Sequence, residues 1–226
     1  MRTTVVLSAG LLTALAAAHC FAATLEVSIV DEAGKPIADV AVYATAKSGD
    51  ELGATGVAAL ASGPAPTAIM DQQHGQFVPH VLVVRTGTAV TFPNSDKVSH
   101  HVYSFSPTKP FELGLYKGDV YPPVVFDKPG IVVVGCNIHD SMLGYIRVVE
   151  TPHFAVTNQQ GLAVIEGVPN GDYAVEAWTP RVRADGLPAA VQVAVAQDSA
   201  ATAMRITGRL APAHRHGGGS LTWDRY

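Results

Sequence analysis

The chain has 226 residues, with 15 basic and 19 acidic side chains, a formal charge of −4 and two cysteines. No basic run occurs, which argues against nucleic acid or an anionic membrane surface as a partner. Two cysteines are too few for a disulfide-stapled scaffold.

The chain begins MRTTVVLSAGLLTALAAAHCFA, with one basic residue, Arg2, followed by an apolar run and then small residues. That order predicts a secretory signal peptide over residues 1 to 22, with Cys20 and Ala22 at the two positions that precede cleavage. Its apolar core is too short and too Ala-rich for a membrane span, so no stable membrane insertion is expected after cleavage. A lipid anchor on Cys20 is the competing reading, against which His19 stands where a small residue is wanted. Cleavage leaves 14 basic against 19 acidic side chains, a balance of −5, with Cys136 as the remaining cysteine. A lone thiol in an exported protein is an inert core residue, a reactive group or a metal ligand.

Beyond the signal the fold class reads as all-β. Short alternating or β-branched runs recur as LEVSIV, HVLVV, TAVTF, HVYSF, IVVVG, YIRVV, YAVEAW and VQVAVA, each bounded by Gly, Pro, Asn or Asp. KPG at 128 to 130 predicts a type II turn, and PNGD at 169 to 172 predicts another turn. Residues 24 to 45 supply two strands around DEAGKP, residues 155 to 178 three more, and residues 191 to 208 about two. Seven short strands suffice for one small sandwich. Residues 24 to 60 end in an Ala/Gly/Pro-rich linker. A central segment of residues 65 to 150 then separates the first strands from the remainder at 151 to 208, and 209 to 226 reads as a flexible tail.

The flanks, in DEAGKPIADVAV and GLAVIEGVPNGDYAVEAW, resemble the carboxypeptidase regulatory-like (transthyretin-like) sandwich family. In that family the two stretches follow one another closely, so the resemblance implies that the central segment is an insertion and that the chain holds two β-sandwiches.

The central segment carries the chemistry. In CNIHDSM, at 136 to 142, a thiol, an imidazole and a thioether fall within one short span. IVVVGC ends a strand at Cys136, and the following loop is expected to return His139 and Met142 before Gly144 opens the next strand. SHHVYSFS offers a further imidazole, His100 or His101. A thiolate, two imidazoles and a weak thioether suit copper that cycles between two oxidation states, whereas zinc prefers a closed Cys/His tetrahedron.

FPNSDKVSHHVYSFS, FELGLY and VVFDKPGIVVVGCNIHDSMLGYIRVV resemble the cupredoxins, the plastocyanin-like blue-copper family, and most nearly the periplasmic proteins labelled methylamine utilization proteins. The resemblance implies a Greek-key sandwich with one mononuclear copper. It implies Cys136 as thiolate, His139 as loop imidazole, Met142 as axial ligand, and His100 as the first histidine, with HHV in place of the family's HNV. Strand alternation points the other way. His101 shares a face with Tyr103 and Phe105, the more apolar pair, and the apolar face is expected inward.

His74, His80 and His153 lack partners at ligand spacing. His214 and His216 sit in the Gly-rich tail, where a weak secondary metal site competes with a loosely packed terminus. No GxSxG nucleophile, paired carboxylates or phosphate-cradling glycine loop is present, so an enzyme is not expected. The expectation is a periplasmic electron carrier that meets a redox partner protein or oxidoreductase, the alternative being a copper-binding or delivery module.

Overall fold

The computed structural model describes residues 22–47, 65–118, 121–196 and 199–212. The signal segment up to residue 21, most of the linker, and the tail histidines His214 and His216 lie outside the described residues. Among the described residues the secondary structure is strand, apart from one short 3-10 turn at Ala184–Gly186.

The outer strands form one two-layered unit. One sheet has β1 (Ala22–Val30) at its centre, antiparallel to β14 (Leu162–Pro169) and parallel to β17 (Ser199–Arg205). The second sheet orders β13 (Phe154–Val156), β2 (Ala41–Ala46), β15 (Gly171–Trp178) and β16 (Val191–Val195). Strands β1 and β2 flank the DEAGKP turn but enter opposite sheets. Alternation in β1 sends Ala23, Leu25, Val27 and Ile29 inward, where they meet Val42, Val175, Ile165 and Met204 in a closed apolar core. The pairing partners of residues 24 to 45 thus lie on the far side of the central segment. Thr157 ties the same ends together, with its Oγ1 accepting from the Val40 N–H at 3.0 Å and donating to the Ile37 carbonyl at 2.8 Å.

The central segment forms a second sandwich. One sheet orders β6 (Val81–Arg85), β12 (His139–Val149), β11 (Gly130–Cys136), β8 (His100–Ser104) and β9 (Phe111–Tyr116). The other orders β10 (Val124–Phe126), β7 (Thr88–Thr91) and β3 (Thr67–Ile69), with a small hairpin of β4 (Asp71–Gln73) and β5 (Gln76–Val78) beside them. Strands β3, β4, β5 and β10 have three residues each and no sequence alternation to reveal them. The KPG stretch is a bend instead of a type II turn. Gly130 enters β11 at φ 145°, and a Cβ there would lie 2.5 Å from Thr108 Oγ1.

Strand β12 serves two cores at once. Met142, Ile146 and Val148 face the central core, whereas Tyr145 and Val149 face a smaller cluster with Ala41, Tyr43, Val81, Val83 and Trp178 that joins the two sandwiches. Arg147, on that same outward face, donates to Tyr43 Oη at 2.6 Å and lies over its ring. The Thr151 hydroxyl completes the joint by donating to the Ala44 carbonyl at 2.6 Å.

Candidate metal centre

Strand β11 delivers Cys136 to one end of the central sheet, and the chain reverses at once. Cys136 pairs with His139 across a two-residue turn of Asn137 and Ile138, so β12 starts at His139. The expected loop from 137 to 143 is therefore a tight hairpin. A register shift between Gly135 and Cys136 absorbs the change of direction. Gly135 lets Tyr103 pack close to the strand, because a Cβ there would sit 3.1 Å from the ring, which would have to shift by a few tenths of an ångström.

Strand β8 supplies the third side chain. Its burial alternates so that His100, Val102 and Ser104 point inward. This corrects the expectation that the face of His101, Tyr103 and Phe105 would be internal. The outward aromatics instead cover the sheet's outer surface, with Phe105 83% exposed, and His101 Nε2 donates to Glu112 Oε1 at 2.8 Å near the surface. A buried imidazole is tolerated on the inward face because its polar atoms have partners there. A register shift in the β8–β9 pairing between His100 and Val102 adjoins this candidate ligand.

The two histidines and the cysteine converge. His100 Nδ1 lies 3.2 Å from His139 Nδ1 and 3.7 Å from Cys136 Sγ, and Cys136 Sγ lies 3.5 Å from His139 Nδ1. Among the described residues this is the one group of three His, Cys, Asp or Glu side chains with donor atoms close enough to share an ion. His100 is 0% exposed and Cys136 4%, while His139 is half-buried at the rim. Met142, at 1% exposure, packs in the apolar cluster that also holds Cys136. His80 is buried with Nδ1 3.1 Å from the Leu143 carbonyl, and His153 packs edge-on to Tyr173. Neither joins the group.

Electrostatics favour a thiolate. Burial by itself raises the pKa of Cys136, but hydrogen bonds from His100, from the backbone N–H groups of His101 and Ile138, and from His139 outweigh it and bring the thiol down to about 6. Burial likewise opposes protonation of His100, yet Cys136 and Asp96 together raise its pKa above the ordinary imidazole value. Both shifts favour a thiolate beside an imidazole that is more readily protonated than usual.

Sequence reasoning missed the groups that support these three. Asp96 Oδ2 accepts from His100 Nε2 at 2.8 Å. Asn94 Nδ2 donates to the Val98 and Tyr116 carbonyls at 3.0 and 2.9 Å, and its Oδ1 accepts from the Asp96 N–H at 3.0 Å. Buried Gln72 Nε2 donates to the Phe92 and Pro93 carbonyls and to the Tyr116 hydroxyl. The one available signal was the polar run NSD directly after an apolar strand, which reads equally well as a simple turn.

No protein-family model matches this chain, and no curated protein sequence matches it. Solved structures do match part of this chain. A copper-containing nitrite reductase (NirK) from Thermus scotoductus SA-01 is 31% identical over 39% of this chain and 23% of its own, with a TM-score of 0.36. A purple cupredoxin from Nitrosopumilus maritimus is 25% identical over 36% of this chain and 99% of its own, with a TM-score of 0.31. The reduced Cu(I) form of an amicyanin variant is 20% identical over 39% of this chain and 88% of its own, with a TM-score of 0.35. This chain thus spans about a quarter of the length of the nitrite reductase.

The residues present fit copper on their own chemistry. One soft thiolate and two imidazole nitrogens in a mostly apolar pocket form the His₂Cys donor set to which copper is suited. When bound, the ion would supply a one-electron couple, held by His100 Nδ1, Cys136 Sγ and His139 Nδ1.

Proposed function

We propose that this chain is an exported type 1 copper protein that transfers electrons. The observation that carries the reading is the convergence of His100 Nδ1, Cys136 Sγ and His139 Nδ1 within 4.8 Å of one another at the end of one sheet. In this reading Met142 is the weak axial donor. The rim position of His139 makes it the exit for the electron toward a redox protein of the periplasm. Residues 1 to 22 are the cleaved signal, and residues 65 to 150 are the cupredoxin domain, set between the two parts of a transthyretin-like sandwich. No helix among the described residues is long and apolar enough to cross a membrane. The enzyme reading is weaker in this proposal because His100, Cys136 and His139, with Met142 as a fourth donor, would leave a bound copper no open position for substrate.

The test is an absorption spectrum and a metal count after loading with Cu(II). An intense visible band, one copper per chain and a reversible one-electron couple are expected. A delivery module would instead bind one oxidation state far more tightly and surrender it to an acceptor. A colourless chain with no copper retained would overturn both readings.

A further inference from the structure

Asp96 lies at the meeting point of three segments. Its Oδ2 accepts from His100 Nε2 at 2.8 Å and from the Gly75 N–H at 2.8 Å, while its Oδ1 accepts from the His74 N–H at 2.6 Å. His74 and Gly75 form the β4–β5 turn, both with positive φ, 54° and 68°, as a two-residue hairpin turn requires. The turn therefore presents two backbone donors to one carboxylate, and the carboxylate passes the constraint to the ring of His100. Asn94 holds the base of the loop from the other side through its bond from the Asp96 N–H.

We propose that Asp96 is a positioning residue for the metal: it fixes His100 as the Nε2–H tautomer and thereby aims Nδ1 at Cys136 Sγ and His139 Nδ1. An ionised carboxylate can only accept, so the ring nitrogen facing it carries the proton and the other is left as donor. The β4–β5 turn is part of the same device, because its two N–H groups hold the carboxylate in place. Carboxylate partners of ligating histidines orient the ring and strengthen it as a donor. The negative charge behind His100 also favours Cu(II) over Cu(I), since the doubly charged ion gains more from it. The inference rests on the copper reading.

The test compares Asp96→Asn and Asp96→Ala with wild type, and with Asp71→Asn as a control. Asp71 braces the same loop, its Oδ2 accepting from Ser95 Oγ at 2.7 Å, with no bond to a ligand. In the metal-free chain, nitrogen-15 spectra should show an exchange-protected proton on His100 Nε2 that Asp96→Ala loses and Asp71→Asn keeps. With copper, Asp96→Asn should raise the reduction potential and Asp96→Ala should weaken copper binding about 10–100-fold, while Asp71→Asn matches wild type. A wild-type chain with no Nε2 proton, or Asp96 variants whose potential and affinity equal wild type, would overturn the inference alone. A wild-type chain that shows the protected proton but takes up no copper would overturn the copper reading, and with it any role of Asp96 toward the metal.

Discussion

The two sandwiches of this chain are built from the same kind of strand, yet their cores differ. The outer core is apolar throughout, and the buried polar groups at its edges, Thr157 and Thr179, are hydroxyls. The central sandwich buries Gln72, His80, Asn94, His100 and Ser104 among its apolar residues. The outer unit thus draws its stability from burial, at about 25 cal/mol per Å² of apolar surface. The central one gives up part of that gain to hold a donor set, and its buried nitrogens on Gln72, His80, Asn94 and His100 have partners, whereas Gln72 Oε1 has none. The candidate metal site lies where the core departs from apolar packing.

The largest test of that contrast is Cys136→Ser. It should abolish the visible band and copper retention, because a hydroxyl cannot replace a soft thiolate, while the circular dichroism of the chain stays that of a strand protein. A band that survives would move the chromophore elsewhere.

A second effect belongs to the metal-free site. The Cys136 thiol, followed by thiolate ultraviolet absorbance, should titrate with a midpoint of about 6. Because the folded value lies below the unfolded one, this thiolate contributes stability that is complete above the unfolded value and is lost as pH falls through about 6. His100 acts with the opposite sign. Its contribution is present below the ordinary imidazole value and is lost as pH rises through the raised one. A midpoint near the free-thiol value of about 8.5 would mean that the hydrogen bonds around Sγ do not act together.

The outer core offers the complementary perturbation. Leu25→Ala, at a fully buried position of β1, should cost about 2–5 kcal/mol in a denaturant melt. The absorption band below the unfolding transition should stay as in wild type. If that band shifts instead, the joint formed by Tyr43, Val83, Val149 and Trp178 transmits strain to the site.

The smallest change expected is from Met142→Leu. Volume is nearly conserved, so the stability loss should stay under about 1.5 kcal/mol, while a shift in the band position would identify the thioether as a ligand. An unchanged spectrum would leave Met142 as a core residue that packs beside Cys136.

The sequence by itself determined the strand character of the chain, because β-branched alternation between turn residues leaves little else for these segments to become. It also brought Cys136 and His139 near one another, since their spacing is local, although it expected a loop up to Gly144 where the chain forms a two-residue hairpin. Three things were decided only by tertiary structure. The inward turn of His100 and not His101, which strand alternation misjudged although the family motif already pointed to His100, depended on which face of β8 met the core. Face polarity misled there, because Tyr103 found cover against Gly135 and His100 found Asp96. The role of Asp96 depended on a hairpin turn that lies 21 and 22 residues earlier in the chain. The assignment of β1 and β2 to opposite sheets depended on partners beyond residue 150. In each case the deciding contact joins residues distant along the chain, and a local pattern of side chains carries no record of what packs against it.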